Sequence, residues 1–334
     1  MSSKHQIFSL TIKHSKATSL PMPLVSIIVP NYNHAPYLRQ RLDSIFSQSF
    51  QDFEVIILDD CSTDNSKEII EEYRSRPQVS HIIYNETNSG SPFKQWAKGF
   101  EYAKGEYIWI AESDDWADFD FLEKTIPIIQ KDPSLSLIYT GINIVYPDKV
   151  TELKTYPSSR CINGESFIRH KMASMNSIYN ASCAIFKRSC LKKIGISYTN
   201  YNGCGDWIFW IEICKTGNVY YYSELLNHFR QHSENTTKKN HRLGKQALEF
   251  WNIYQQLKKE KRLSFFHRLE APTIWYYIAK QGNTDNHIKA MKLWKQEIKS
   301  PFIMNFFIKI LYIGWSVLHS SIPPKAKAIS KGRF

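Results

Sequence analysis

The sequence predicts an α/β fold in which a mostly parallel sheet is flanked by helices on both faces. Short apolar runs rich in β-branched residues alternate with longer segments whose apolar residues recur at helical spacing. A polar cluster follows each of the first four runs, and the chain beyond residue 243 shows helical periodicity alone. Such alternation is typical of layered domains with a parallel sheet. With 334 residues, 43% of them hydrophobic, the chain can bury a substantial core.

The first four strand and helix units are predicted from their periodicity. The strands are predicted at residues 25–29, 53–58, 81–84 and 107–110. The helix after each strand is predicted from apolar residues at helical spacing. These residues are Leu38, Leu42, Ile45 and Phe46 in the first helix; Ile69, Ile70 and Tyr73 in the second; Phe93, Trp96, Ala97 and Phe100 in the third; and Leu122, Ile126 and Ile129 in the fourth. Each connection contains turn-forming residues, which suits short loops between strand and helix.

Further elements are predicted in the second half of the chain. Strands are predicted at residues 135–145, 182–186 and 218–222, and a helix bearing Trp207 and Trp210 is entered through Gly205-Asp206. Beyond residue 243 only helices are expected. The predicted organisation is therefore a flexible lead-in at 1–22, an α/β domain at 23–237 and a basic helical region at 238–334. The lead-in lacks the continuous apolar stretch of a secretory signal.

The polar clusters share a position, directly after the predicted strands at residues 30–33, 59–64, 88–91 and 112–115. The carboxyl ends of parallel strands meet at one edge of a sheet, where α/β folds bind their ligands. We therefore predict a binding site at this edge. Ordinary loops remain an alternative for residues such as Asp59 and Asp60, since these residue types also favour turns.

The segment Glu112-Ser113-Asp114-Asp115 holds three carboxylates within four residues. Such crowding is costly unless a cation or hydrogen-bond donors offset it. Mg²⁺ and Mn²⁺ prefer oxygen ligands and bind carboxylates together with substrate phosphates. A metal site and a cap on a helix beginning near Asp118 are both consistent with this segment.

Four runs together resemble glycosyltransferase family 2, the inverting enzymes of the Rossmann-like GT-A fold. They are Val25-Ser-Ile-Ile-Val-Pro-Asn-Tyr-Asn33, Leu58-Asp-Asp-Cys-Ser-Thr-Asp64, Asn88-Ser-Gly-Ser91 and Ala103-Lys-Gly-Glu-Tyr-Ile-Trp-Ile-Ala-Glu-Ser-Asp-Asp115. The resemblance covers about residues 24–235 and implies a nucleotide-sugar donor, expected to be a UDP-sugar. This sequence departs from the family pattern at two places. One is Glu112, where Asp is commonest in the family, and the other is Lys94-Gln95-Trp96, where many members have Ala-Arg-Asn.

The resemblance also implies roles for individual residues. Donor contacts are expected from Pro30, Tyr32, Asn33, Asp60, Gly90, Gln95, Asp114 and Arg230. Metal contacts, to Mn²⁺ or Mg²⁺, are expected from Glu112, Asp114, Asp115 and His232. Asp206, followed by Trp207, matches the family's catalytic base, which deprotonates the acceptor hydroxyl. A helix cap is the alternative for Asp206, and a surface histidine is the alternative for His232.

Charge is distributed unevenly along the chain. Residues 238–334 carry 19 Lys and Arg against five Asp and Glu, whereas residues 1–237 have a net charge of −2. An apolar run at 302–318 lies within the basic part and suits a helix on an anionic membrane surface, which agrees with a lipid-linked acceptor. A core helix or an oligomer contact is the alternative. The neutral body and the lack of a recognition motif argue against a nucleic-acid partner.

These observations lead to one main functional hypothesis. We expect a metal-dependent inverting glycosyltransferase that transfers sugar to a glycan or lipid-linked acceptor, in the cytoplasm and peripheral to the inner face of the membrane. A non-catalytic protein that binds nucleotide sugars or glycans is the rival hypothesis. The six cysteines lie at scattered spacings, which suits a reduced compartment.

Overall fold

The computed structural model describes residues 22–232 and 243–298. Its strands are β1 Val25–Asn31, β2 Phe53–Asp59, β3 Val79–Tyr84, β4 Tyr107–Ile110, β5 Trp116–Ala117, β6 Leu135–Val145, β7 Val150–Leu153, β8 Arg160–Ile162, β9 Ala184–Lys187 and β10 Asn218–Arg230. Its α-helices are α1 Ala35–Phe46, α2 Ser66–Glu72, α3 Pro92–Tyr102, α4 Phe121–Lys131, α5 Gly164–Phe167, α6 Gly205–Cys214, α7 Lys245–Lys259, α8 Phe265–Lys280 and α9 Asp285–Glu297.

A single mixed sheet organises the described residues, in the order β3-β2-β1-β4-β9-β6-β10-β5. Strands β3, β2, β1 and β4 are parallel to one another, which confirms the four predicted strand and helix units. Strand β9 runs antiparallel between β4 and β6, while β6 and β10 are parallel. The carboxyl ends of the first four strands therefore meet at one edge, as the sequence predicts.

Apolar residues on both faces of the sheet are buried, because helices cover each face. In β1, Ile27 and Val29 pack with α1 and α4 on one side, whereas Ile28 packs towards α3 and α6 on the other. A strand that is buried on both faces has a nearly continuous run of apolar residues in its sequence, rather than an alternation of apolar and polar residues. The described structure is thus the predicted α/β layer arrangement, with a helical region at its C-terminal end.

Several elements differ from the prediction. Strand β10 continues to Arg230, well past the predicted end at 222, because its later residues pair with both β6 and β5. The predicted strand at 182–186 begins at Ala184, since residues 181–183 form a 3₁₀ turn. Strands β5, β7 and β8 were not predicted. They are two to four residues long and largely exposed in β7 and β8, so they carry almost no apolar pattern.

The C-terminal helices α7, α8 and α9 pack on the α6 side of the sheet. Trp294 of α9 is fully buried between Trp251 and Tyr254 of α7. The ring of Phe250 lies 5.5 Å from that of Trp207 in α6, so the helical region shares its core with the α/β domain. In the two described segments, no helix is long and apolar enough to cross a bilayer. The apolar run at 302–318 lies outside the described residues, as does the predicted lead-in at 1–22 except for its last residue, Met22.

Candidate active site

The acidic segment forms a turn directly after β4. Its backbone is anchored on β1, since the Ala111 N–H donates to the Ile28 carbonyl, and is closed by a hydrogen bond from the Asp115 N–H to the Glu112 carbonyl. Helix α4 begins only at Phe121, with Asp120 at the capping position. Neither Asp114 nor Asp115 therefore caps that helix, so the alternative reading of the segment does not hold.

Three side chains around this turn could hold a metal ion. They are His34, Asp114 and His232, each of which offers one ligand atom within 4.8 Å of the others. His232 Nε2 lies 3.0 Å from Asp114 Oδ2, and His34 Nδ1 lies 2.8 Å from Ser113 Oγ. Two imidazoles and one carboxylate are a donor set that first-row divalent ions accept.

The surroundings of Asp114 favour its ionised form. Burial acts to raise the pKa of Asp114, but the hydrogen bond with His232 and the charges of the two neighbouring imidazoles outweigh it, and the pKa is lowered overall. Burial lowers the pKa of His34. A carboxylate beside two imidazoles is a donor set that fits a divalent cation.

Glu112 and Asp115 have other partners. Glu112 Oε1 accepts a 2.8 Å hydrogen bond from Trp96 Nε1, and burial, reinforced by the Asp114 charge, raises the pKa of Glu112 to about 8. Asp115 accepts from Asn180 Nδ2 at 2.8 Å and from Ser182 Oγ at 2.7 Å. Of the four expected metal contacts, the structure brings Asp114 and His232 together and adds His34, while Glu112 and Asp115 lie outside this group.

Arg41 lies beneath the acidic turn and was not predicted from the sequence. Its side chain is fully buried on α1, and its Nε donates to the Glu112 carbonyl at 2.8 Å. Burial lowers the pKa of Arg41 to about 10, although the charges of Asp115, Asp114 and Glu112 oppose the shift. A buried guanidinium in this position offsets the repulsion among the carboxylates.

Arg230 stands at the end of β10, beside the metal-capable group. Its guanidinium lies between two aromatic rings, 4.8 Å from the centroid of Tyr37 and 4.6 Å from that of Trp116. Its Nε donates to the Asp114 carbonyl at 2.9 Å, and its backbone N–H donates to Asp115 Oδ1 at 3.0 Å. The stacked rings hold a positive charge at the acidic turn in a fixed orientation.

The loops after β2 and β3 meet around Asp60. This carboxylate is 4% exposed and accepts hydrogen bonds from Asn85 Nδ2, from the N–H and hydroxyl of Ser89, and from Gln95 Nε2, at 2.7 to 2.9 Å. Gly90 follows in the left-handed region, with φ of 75°, and its N–H donates to Asn88 Oδ1. Four donors occupy the acceptor capacity of Asp60, which fixes both loops against α3.

The loop after β1 lies next to these loops. Pro30 is buried at the end of β1, whereas Tyr32 is 46% exposed. Asn33 adopts φ of 54°, which asparagine tolerates, and its Oδ1 accepts from the Thr63 N–H at 2.7 Å. Tyr32 and Asn33 are therefore both exposed on this loop, and Tyr32 presents an accessible phenol ring.

Asp206 lies in the first turn of α6, after Cys204 at the capping position. The Asn176 amide donates to its Oδ2 at 2.8 Å, and burial raises the pKa of Asp206 to about 6. A Cβ added to Gly205 would meet the Phe93 ring at 2.4 Å, and Trp96, one turn further along α3, bonds to Glu112. The start of α6 and the acidic turn are therefore linked through α3.

Comparison with known proteins places the chain in a family. The model for glycosyl transferase family 2 matches residues 26–195. The chain belongs to this family. It is a glycosyltransferase, and the rival reading of a non-catalytic binding protein is set aside. The match ends before Asp206, Arg230 and His232, so the roles predicted for those three residues stay predictions.

Relatives of this glycosyl transferase carry names from polysaccharide assembly. It is 27% identical over 238 residues to TuaG of Bacillus subtilis (strain 168), named for teichuronic acid biosynthesis, covering 71% of this chain and 89% of TuaG. It is 28% identical over 247 residues to the chondroitin synthase of Pasteurella multocida (strain Pm70), covering 74% of this chain but only 24% of that protein.

Solved structures confirm the GT-A fold of the glycosyl transferase. A crystal structure of Staphylococcus aureus TarS, residues 1–349 with UDP-GlcNAc, matches with a TM-score of 0.57 at 18% identity, covering 82% of this chain and 72% of that one. The mannosyltransferase PcManGT of Pyrobaculum calidifontis, in complex with GDP-Man and Mn²⁺, matches with a TM-score of 0.53 at 15% identity, covering 83% and 85%.

Proposed function

We propose that this glycosyltransferase is a metal-dependent inverting enzyme that moves a sugar from a nucleotide-diphosphate donor to a glycan or lipid-linked acceptor. The observation that carries the proposal is the group His34, Asp114 and His232 beside Arg230, at the edge of the sheet where α/β folds bind ligands. A divalent cation and a fixed guanidinium side by side form a site suited to a diphosphate.

The proposed metal is Mn²⁺ in preference to Mg²⁺. Imidazole ligands suit transition metals, whereas Mg²⁺ strongly prefers oxygen. His34, Asp114 and His232 would hold the ion, which would act as a Lewis acid that neutralises charge on the leaving diphosphate. The Mn²⁺ in the complex of the mannosyltransferase neighbour supports this assignment. Glu112 and Asp115 would support the turn rather than contact the ion.

The proposed donor is a UDP-sugar, supported by the UDP-GlcNAc in the complex of the TarS neighbour. The exposed ring of Tyr32 would stack on the base, since aromatic faces are suited to this contact. Pro30, Asn33 and Gly90 would shape the loops around the nucleoside. Asp60 and Gln95, which bond to each other, would hold those loops in place.

Asp206 is proposed to be the general base. The acceptor hydroxyl oxygen forms a bond to the anomeric carbon while the bond from that carbon to the diphosphate oxygen breaks. The hydroxyl proton passes to the Asp206 carboxylate, and the diphosphate leaves with the bonding electrons. A single displacement inverts the anomeric centre. A carboxyl pKa raised to about 6 keeps Asp206 ionised at neutral pH while making it a stronger base than an exposed aspartate.

The proposed acceptor is a growing surface glycan or its lipid-linked form, at the cytoplasmic face of the membrane. The name of TuaG supports a role in polysaccharide assembly. Phe265 and Phe266, at the start of α8, are 71% and 67% exposed, and Lys261 and Arg268 beside them are exposed too. Exposed aromatic rings among cationic side chains suit a peripheral contact with an anionic bilayer.

A donor screen with an Asp206 variant tests the proposal. Purified protein is incubated with Mn²⁺, with Mg²⁺ or with EDTA, and with nucleotide sugars and a polysaccharide acceptor, while nucleoside diphosphate release is followed. We expect metal-dependent release with one donor, stronger with Mn²⁺. Asp206→Asn should reduce transfer by at least about 100-fold while leaving the donor Kd unchanged, as expected for loss of a general base. Full transfer in EDTA would refute the metal dependence. Full transfer by Asp206→Asn would refute the role of Asp206 as general base.

A further inference from the structure

Glu249 on α7 binds three consecutive backbone N–H groups of the loop before α6. Its Oε1 accepts from the Asn202 N–H at 2.6 Å, and its Oε2 accepts from the Gly203 and Cys204 N–H groups, both at 2.9 Å. The carboxylate is 8% exposed, so these bonds form away from bulk water. Hydrogen bonds from backbone N–H groups to a charged acceptor are among the stronger ones in proteins.

This loop leads directly into the first turn of α6, where Asp206 lies. Cys204 occupies the capping position of the helix and makes no capping hydrogen bond with its side chain. Glu249 instead supplies from α7 an acceptor for the N–H of the capping residue itself, the donor that a Glu at the third helical position binds in a capping box. Its negative charge also lies at the positive end of the helix dipole, which is the favourable place for it.

The start of α6 is fixed on its other side as well. A Cβ on Gly205 would lie 2.4 Å from the Phe93 ring and 2.5 Å from the Tyr198 carbonyl, so the backbone there packs directly on α3 and the preceding turn. Asp206 is thus carried by a backbone held between α3 and Glu249. Small shifts of such a backbone would move the carboxylate relative to the acceptor hydroxyl.

Glu249 forms no ion pair within residues 22–232 and 243–298. Burying a carboxylate without a cation costs free energy unless hydrogen bonds offset it. Here the three N–H groups offset it. Neutral Gln could accept at the loop with one oxygen only, so the charged group is the form that satisfies all three donors.

We propose that Glu249 is a positioning residue for Asp206. Glu249 holds the loop 202–204 that leads to Asp206, and its negative charge acts on the Asp206 carboxyl group. This inference rests on the proposed role of Asp206 as general base. It also assigns a catalytic contribution to the helical region 243–298, which lies beyond the segment matched by the family model.

The charge environment of Asp206 supports the proposal. Burial is the main cause that raises its pKa, while the Trp207 backbone and Asn176 lower it and the charge of Glu249 raises it further. The Cys204 thiol is the other titratable group that interacts with Asp206, and burial raises its pKa well above the ordinary value, so it stays neutral. The charge of Glu249 therefore contributes to the raised pKa of Asp206.

The test compares Glu249→Gln with Glu270→Gln, a matched change at a half-buried carboxyl group on α8. For Glu249→Gln we expect kcat to fall by about 10- to 100-fold, as expected when a catalytic group is misplaced by a fraction of an ångström to one ångström. The donor KM should stay within twofold. The acid limb of the kcat/KM profile should move to lower pH, because the negative charge beside Asp206 is gone. Glu270→Gln should match the parent protein.

Two results would overturn the inference. One is a Glu249→Gln protein with the kcat and pH profile of the parent, when Asp206→Asn is inactive. The other is a Glu249→Gln protein in which kcat, donor affinity and Tm all fall while the acid limb of the kcat/KM profile does not move. That result would mean that Glu249 has only a structural role. If Asp206→Asn itself stays active, the proposed base is wrong instead, so the two failures are distinguishable.

Discussion

Within the acidic turn, neighbouring carboxyl groups have different environments. Asp114 faces two imidazoles and has a lowered pKa, while Glu112 bonds to the Trp96 indole and has a raised pKa. Two carboxyl groups of the same turn therefore differ in what they can do. Asp114 can ligate a metal ion, whereas Glu112 supports the turn. The separation depends on partners from α1, α3 and β10, which sequence spacing does not reveal.

The metal group leads to a prediction at the residue scale. His34→Gln and His232→Gln should each weaken Mn²⁺ binding by about 10- to 100-fold, a size typical for disturbing a metal site. The measurement is Mn²⁺ titration followed by electron paramagnetic resonance, which does not depend on activity. His81→Gln is the control, because half-buried His81 on β3 packs beside Tyr102 and does not belong to the metal-capable group. Unchanged Mn²⁺ affinity in His34→Gln would remove this residue from the site.

The raised pKa of Asp206 predicts how activity depends on pH. Since the base must be ionised, kcat/KM should fall about tenfold per pH unit below the Asp206 pKa, which is about 6. The measurement is a pH profile with saturating Mn²⁺, and a control titration of Mn²⁺ affinity over the same range separates metal loss from base protonation. An acid limb near pH 4 would contradict the environment described for Asp206.

The same shift predicts a stability change. At pH 7 the carboxyl group is ionised in folded and unfolded chains, but its ionised form is disfavoured in the folded state. This penalty disappears as pH falls below the unfolded pKa of about 4. Asp206→Asn should therefore raise the free energy of unfolding at pH 7, by about 1 to 2 kcal/mol after allowance for partial exposure. Denaturant unfolding at pH 7 would measure it.

At the scale of elements, the close packing at the start of α6 leads to another prediction. Gly205→Ala should lower the free energy of unfolding by about 1 to 3 kcal/mol, because the added methyl group overlaps Phe93 and the Tyr198 carbonyl. It should also lower kcat by displacing Asp206. Gly195→Ala is the control, since an added Cβ there meets nothing within 4 Å. Equal Tm values for the two variants would contradict this packing.

The sequence allowed the central elements to be predicted because their burial leaves a strong pattern. Strands β1, β2 and β4 are buried along their whole length and mostly apolar, and the polar clusters after them are visible without any tertiary information. His34 lies one residue beyond the cluster identified at 30–33 and was missed for that reason. Arg41 was missed because a cation on the apolar face of α1 resembles an ordinary surface residue in sequence.

Residues such as Asn180, Ser182 and Glu249 could not be predicted at all. Their roles arise from contacts with residues 45 to 67 positions away in the chain, and no local pattern marks them. The late part of β10 was missed because Ser223 and exposed Glu224 interrupt the apolar run, and polar and apolar residues are mixed after them. Tertiary pairing, not propensity, extends this strand to Arg230.

At the scale of the whole molecule, the aromatic pair on α8 predicts membrane association. The double variant Phe265→Ser, Phe266→Ser should lose cosedimentation with vesicles that contain phosphatidylglycerol, while its activity on soluble acceptors is retained. Ile196→Ser, which removes another exposed apolar side chain at 72% exposure, is the control and should bind vesicles like the parent. Equal vesicle binding by the double variant and the parent would place the membrane contact elsewhere or exclude it.

The long β10 has a consequence for how the enzyme is made. Because Arg230 closes the acidic turn from the far end of the domain, the first 115 residues of a nascent chain present the nucleotide loops without a complete catalytic centre. At the usual elongation speed of about 5 to 20 residues per second, several seconds separate the synthesis of the two halves. We therefore expect a nascent chain to be inactive until β10 has emerged from the ribosome and paired with β6.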